Sequence, residues 1–140
     1  MKISARNILA GKVDSIVRGA VNSEVALTLE GGEKIAAIIT NGSVEALELA
    51  AGTAACAIVK ANEVILGKDL AGARFSARNV LSGTVAKVDA GAVNSEVTLT
   101  LAGGASIVAS ITKASVEALE LKAGDTASAI IKASNVLIGV

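Results

Sequence analysis

The chain is written twice. Ser4-Ala5-Arg6-Asn7 returns as Ser76-Ala77-Arg78-Asn79, and Gly19-Ala20-Val21-Asn22-Ser23-Glu24-Val25 as Gly91-Ala92-Val93-Asn94-Ser95-Glu96-Val97. Ser43-Val44-Glu45-Ala46-Leu47-Glu48-Leu49 returns as Ser115-Val116-Glu117-Ala118-Leu119-Glu120-Leu121. The offset is constant at about 72 residues without a gap, and about 39 of the 64 positions from Ser4 to Gly67 are identical. A unit of that length is a whole small domain, not a solenoid repeat. The chain therefore divides into a first domain over 1–67, a linker over 68–73 and a second domain over 74–140. The linker is too short to let the halves roam, so they pack at a fixed geometry.

Each copy is near the lower size at which a domain folds alone, so its own core is thin. Hydrophobic residues make up 52% of the chain, which points to apolar surface buried between domains or subunits and hence to a homo-oligomer. With aromatics at 1% and no Trp, Tyr or Pro, the core must be built from Val, Ile, Leu and Ala.

Within a repeat the apolar residues mostly alternate. Val25, Leu27 and Leu29 form one run and Ile35, Ala37 and Ile39 another, which predicts two strands. A three-residue loop of Gly31, Gly32 and Glu33, with one Gly in the left-handed region, predicts Leu29 opposite Ile35 and Glu30 opposite Lys34. Ser43 is expected to N-cap a short helix over Val44–Leu49 that stops by Gly52. Ala54–Val59 and Glu63–Leu66 then read as short strands. Three strands, a short helix and two strands are the order of an OB-type barrel, so the fold class is all-β with one short helix per repeat: tandem OB-like β-barrels. A pair of small open β-sandwiches is the alternative.

Chemistry is bounded as much by what is missing. The chain has no His, which removes the usual general base and the commonest transition-metal ligand. The single Cys56 excludes an intramolecular disulfide, suits a reducing compartment, and is replaced by Ser128 in the other copy. There is no Walker loop, no dinucleotide fingerprint and no recurring carboxylate pair, so the reading is not an enzyme. A net charge of zero and one aromatic, Phe75, argue against nucleic acid and against an anionic membrane. Arg6 and Asn7 stand where a signal peptide needs its apolar stretch, which makes the cytoplasm the expected location.

Hydrogen-bond donors do recur. Ser4, Arg6, Thr40, Ser43 and Lys60 reappear as Ser76, Arg78, Thr112, Ser115 and Lys132. Two cations, three hydroxyls and the free amides at the start of a short helix suit a compact oxyanion held without a metal bond. Such a site favours a fully deprotonated tetrahedral dianion, sulfate-like or molybdate-like, over phosphate. Phosphate near neutral pH carries a proton, and burying that proton without an acceptor costs about 1–3 kcal/mol. Taken singly, each residue has a plainer reading: Ser43 as a cap alone, Thr40 as a strand residue, Asn22 and Ser23 as a turn.

The same residues, together with Lys60-Ala61 and Lys132-Ala133, resemble the Mop domain of molbindins, and two Mop domains in tandem resemble the di-domain members. The resemblance implies OB-like barrels that bind molybdate, and also tungstate, through hydrogen bonds, with no direct protein–metal ligand and no cofactor. It implies cytoplasmic storage and a homotrimer with sites at domain and subunit interfaces. By that resemblance Ser4, Ala5 and Arg6 contribute from one domain and Thr40, Ser43, Lys60 and Ala61 from a neighbour. In the second copy these roles fall to Ser76, Ala77, Arg78, Thr112, Ser115, Lys132 and Ala133. A second class of site near a threefold axis is assigned to the turn Val21, Asn22, Ser23 and its copy Val93, Asn94, Ser95. The copies depart where Asn41-Gly42 becomes Lys113-Ala114 and Asn62 becomes Ser134. The competing function is a sensing module that passes a molybdate signal to a partner protein.

Overall fold

A computed structural model describes residues Met1–Val140. In the first repeat, β1 (Asn7–Arg18), β2 (Asn22–Leu29) and β3 (Lys34–Thr40) form an antiparallel meander. Helix α1 (Asn41–Ala46), strand β4 (Ala54–Val59), a 3₁₀ turn (Ala61–Glu63) and β5 (Ile65–Gly67) follow. The second repeat runs β6 (Asn79–Ala90), β7 (Asn94–Leu101), β8 (Ser106–Thr112), α2 (Lys113–Ala118), β9 (Thr126–Ile131), a 3₁₀ turn (Ala133–Asn135) and β10 (Leu137–Gly139). This is the expected order, except that the 3₁₀ turn takes Glu63, the first residue of the expected strand Glu63–Leu66, and the strand itself begins at Ile65.

The sheets do not coincide with the repeats. Their orders are β10-β4-β1-β2-β3 and β5-β9-β6-β7-β8. Each repeat gives its last strand to the other: Leu137 pairs with Ile58, and Ile65 with Ile130. In each unit the lent strand also packs against the meander's outer strand, β10 on β3 and β5 on β8, which curls the sheet into a barrel. A bulge at Asp14 in β1, repeated at Ala86 in β6, supplies the local bend that such closure needs.

Burial follows the alternation. Val25, Leu27 and Leu29 of β2 and Ile35 and Ala37 of β3 face inward, at most 3% exposed. They belong to a single cluster of 26 buried residues that spans both repeats. The two thin cores thus act as one, which is how a chain with so few aromatics buries enough aliphatic surface.

Two exchanged copies meet about a local twofold axis, where equivalent positions touch. Asn135 donates from Nδ2 to Glu63 Oε2 at 2.8 Å. The hairpin tips meet at Gly31 and Gly103, so closely that a Cβ on Gly31 would lie 2.7 Å from Gly103 Cα. Asn7 and Asn79, both 2% exposed, clasp the opposite sheet. Asn7 Nδ2 donates to Val108 O at 2.8 Å while its Oδ1 accepts from Val108 N at 2.7 Å. Asn79 makes the same pair of bonds with Ala36, at 2.8 and 2.7 Å.

Three local expectations are corrected. The hairpin pairs Leu27 with Ile35 and Thr28 with Lys34, two residues from the expected register, because the loop is Glu30-Gly31-Gly32. Gly32 takes the left-handed conformation at φ 95°. Thr40, not Ser43, caps α1: its Oγ1 accepts from Ser43 N at 3.1 Å, and Thr112 caps α2 through Ser115 N in the same way. The helix ends well before Gly52. Glu48 sits at φ 50°, Glu48 N donates to Glu45 O and Leu49 N to Val44 O, a Schellman closure with glutamate where glycine is usual.

The linker is tied down by Lys68, whose Nζ donates to Asp125 Oδ2 and to Glu120 O, both at 3.1 Å. The Lys68 hydrogen bond, and then the one from Lys122 N, hold the Asp125 carboxyl below the usual carboxylate range. A lowered native pKa means that the stabilisation is complete above the ordinary Asp range and fades as pH falls through the lowered value. Asp125→Asn is therefore expected to lower the melting temperature at pH 7, and by progressively less as the pH is taken down through the acid range. Scanning calorimetry from pH 7 down into acid checks this; a deficit that stays constant across the series would remove the ion pair as its cause.

Candidate functional site

The start of β1, the end of β4 and the 3₁₀ turn are adjacent because β1 and β4 pair in antiparallel register, Asn7 opposite Val59. That register sets Ser4-Ala5-Arg6 beside Lys60-Ala61. The five line one pocket of about 300 Å³ together with Asn62 and, from the other repeat, Ser110. No acidic residue lines it. Ala61 is buried and fixes the turn, while Ser4, Arg6 and Lys60 are exposed.

Strand exchange brings the second group of expected residues alongside. The 3₁₀ turn and β5 of repeat one lie on β8, so Thr112 and Ser115 share an adjoining pocket with Asn62, Ser110 and the Val64–Leu66 stretch. Asn62 and Ser110 line both pockets and join them. Within one chain, then, Lys60 and Ala61 stand with Ser4 and Arg6 of their own repeat, and the hydroxyl pair comes from the other repeat. The resemblance groups Lys60 and Ala61 with Thr40 and Ser43 on one domain of an interface; within this chain the hydroxyls beside Lys60 and Ala61 are those of Thr112 and Ser115. Thr40 ends β3 and Ser43 lies in α1; β3 packs against the Ala133–Asn135 turn that follows Lys132, and Arg78 is held by Glu24 of the neighbouring β2.

The hydroxyls are ordered. Thr40 Oγ1 and Ser43 Oγ are 2.8 Å apart, as are those of Thr112 and Ser115. Each arginine is held by a glutamate across the repeat boundary: Arg6 by Glu96 and Arg78 by Glu24. These glutamates are site-shaping residues that the sequence reading missed. Both recur within the Asn-Ser-Glu-Val motif, and that recurrence was the available signal. With a carboxylate on one side, the guanidinium keeps its remaining N–H groups for a second anion.

The turn expected to form a second site is built differently in its two copies. In repeat one Ser23 Oγ donates to Asn41 Oδ1 at 2.5 Å, and Asn41 Nδ2 donates to Gly19 O at 2.9 Å. In repeat two Lys113 replaces Asn41, and the buried Ser95 hydroxyl has no partner. Val21 and Val93 project from these turns at 70% and 74% exposure, and Asn22 and Asn94 are exposed beside them. No group of three or more His, Cys, Asp or Glu side chains is arranged to hold a metal ion. No helix is long and apolar enough to cross a membrane.

The TOBE domain model matches residues 3–66 and again 76–138. The chain belongs to the TOBE-domain family. Across its whole length this TOBE pair is 44% identical to the molybdenum transport protein ModE of Herbaspirillum seropedicae, covering 52% of that protein. It thus spans about half the length of such curated relatives. A single repeat is 46% identical over 66 residues to molybdenum-pterin-binding protein 2 of Clostridium pasteurianum, 47% of this chain and 97% of that one. Among solved structures, the cytoplasmic molybdate-binding protein ModG with molybdate bound superposes with TM-score 0.97 at 54% identity, covering 100% of this chain and 99% of that one. Tandem OB-like barrels are therefore the fold, in agreement with the sequence reading.

Proposed function

We propose that the TOBE pair binds molybdate, and tungstate by the same chemistry, as an intracellular store in the cytoplasm. The observation that carries this reading is the pocket in which Ser4, Arg6 and Lys60 converge with no acidic lining residue, next to the Thr112–Ser115 pair. A tetrahedral dianion there accepts from a guanidinium, an ammonium, hydroxyls and backbone N–H groups, and needs neither a metal bond nor a cofactor. The likeness to ModG supports molybdate over sulfate as the cargo.

The pockets are open to one side, and large aliphatic side chains recur on the surface of both copies. Ile65 and Leu137 are each 57% exposed, and Ile8 and Val80 are 40% and 43% exposed. That repeated apolar surface supports a homotrimer in which neighbouring subunits complete the sites and bring the Val21–Ser23 and Val93–Ser95 turns together. Nothing in this arrangement calls for catalysis. The length of the ModE relatives favours one further reading, a sensing module acting on a partner protein.

Titration calorimetry of the chain with sodium molybdate tests the proposal, with sulfate and phosphate as controls and light scattering for mass. Binding of more than one molybdate per chain, on a trimer and with phosphate silent, is the expected result. Absence of heat with molybdate would overturn it.

A further inference from the structure

The two donor sites of one chain differ at one strand position. On one side Arg6 is held by Glu96, and Glu96 lies directly across the β7–β8 ladder from Ser110. On the other side Arg78 is held by Glu24, and Glu24 lies directly across the β2–β3 ladder from Ile38. The scaffold is the same in both, down to the ion pair and the register. The group presented beside the arginine is a hydroxyl in one and an aliphatic chain, 38% exposed, in the other. Ser110 is no bystander, since it lines both the Ser4–Arg6–Lys60 pocket and the adjoining Thr112–Ser115 pocket.

We propose that Ser110 and Ile38 make the two oxyanion sites of the chain unequal, with the Ser110 site the tighter. The inference rests on the molybdate reading and deepens it. A serine hydroxyl donates to an anionic oxygen, whereas isoleucine offers no donor and excludes the water that would otherwise serve that oxygen. One hydrogen bond to a charged group changes the affinity of a site by about tenfold or more, and Lys113, which stands next to Thr112 where repeat one has Asn41, adds to the difference in the same direction. The neighbouring difference, Asn62 against Ser134, does not cancel this, because amide and hydroxyl both donate. A chain carrying both sites fills one at low anion concentration and the other only as supply rises. It therefore buffers over a wider range than two identical sites.

Calorimetry of the full chain with sodium molybdate is the test, using the parent, Ser110→Ile, Ser110→Ala and Ile38→Ser, each checked for folding by its melting curve. The parent is expected to show two affinity classes about tenfold or more apart. Ser110→Ile and Ser110→Ala should weaken the tight class into the weak one, the alanine variant adding no bulk that could disturb the sheet. Ile38→Ser should raise the weak class towards the tight one. Molybdate isotherms of all four proteins that superimpose would overturn this inference and leave the storage reading standing. A parent that takes up no molybdate would overturn both.

Discussion

Replacing both arginines, Arg6→Ala with Arg78→Ala, is expected to weaken molybdate binding by at least about a hundredfold while leaving the melting temperature within a few degrees of the parent. Each guanidinium supplies charge-assisted hydrogen bonds worth about 1.5–3 kcal/mol each to a bound anion. Its removal also leaves Glu96 or Glu24 without its partner beside the pocket, so a carboxylate then repels the incoming dianion. The fold should tolerate the change because the arginine side chains are 54% and 55% exposed, and exposed ion pairs add little to stability. Arg6→Lys with Arg78→Lys should recover only part of the affinity, since lysine restores the charge and not the planar fork. Equilibrium dialysis with elemental molybdenum analysis gives the stoichiometry. An unchanged molybdenum content in the alanine double variant would sink the site assignment.

Asn7→Ala with Asn79→Ala should have the largest effect on stability. Each asparagine satisfies both the N–H and the C=O of one residue on the outer strand of the opposite sheet, Val108 or Ala36. Truncation leaves those part-buried groups without partners and opens a small void where the buried asparagine stood, at a cost of about 2 kcal/mol per site. A combined loss of about 4 kcal/mol corresponds to a fall of roughly 10 °C or more in melting temperature for a domain of this size. Scanning calorimetry reads it directly. A double variant melting within about 2 °C of the parent would mean that water replaces the asparagine amides, and that the clasp contributes little.

Much of this architecture was legible in the residues. Alternation in Val25–Leu29 and Ile35–Ile39 gave the strands and their inward faces, and the helix lay close to where Ser43–Leu49 placed it. Alternation fixes which face a residue takes but not the offset between strands, so the hairpin register came out two residues away. The exchange of β5 and β10 was hidden for a different reason. Ile65-Leu66-Gly67 and Leu137-Ile138-Gly139 are near copies, and they meet near-copies in β9 and β4, so either sheet could receive either strand. Retention between repeats picked out Arg6, Lys60, Thr112 and Ser115, which the fold brings to two adjoining pockets. Blind to difference by construction, that comparison passed over Ser110, whose counterpart is Ile38. It also assigned Ser43 the cap that Thr40 supplies, because both hydroxyls recur and only backbone geometry separates their roles.

The exchanged strands also bear on how such a chain comes off the ribosome. The barrel built on β1–β4 is closed by Leu137–Gly139, which trail Val59 by most of the second repeat. During synthesis that barrel stays open, one strand short, until the second copy has been made, whereas the barrel on β6–β9 has its closing strand waiting from the outset. Nascent protection should therefore arrive in one late step rather than repeat by repeat, and a stop placed after Asn135 should damage the N-terminal barrel first.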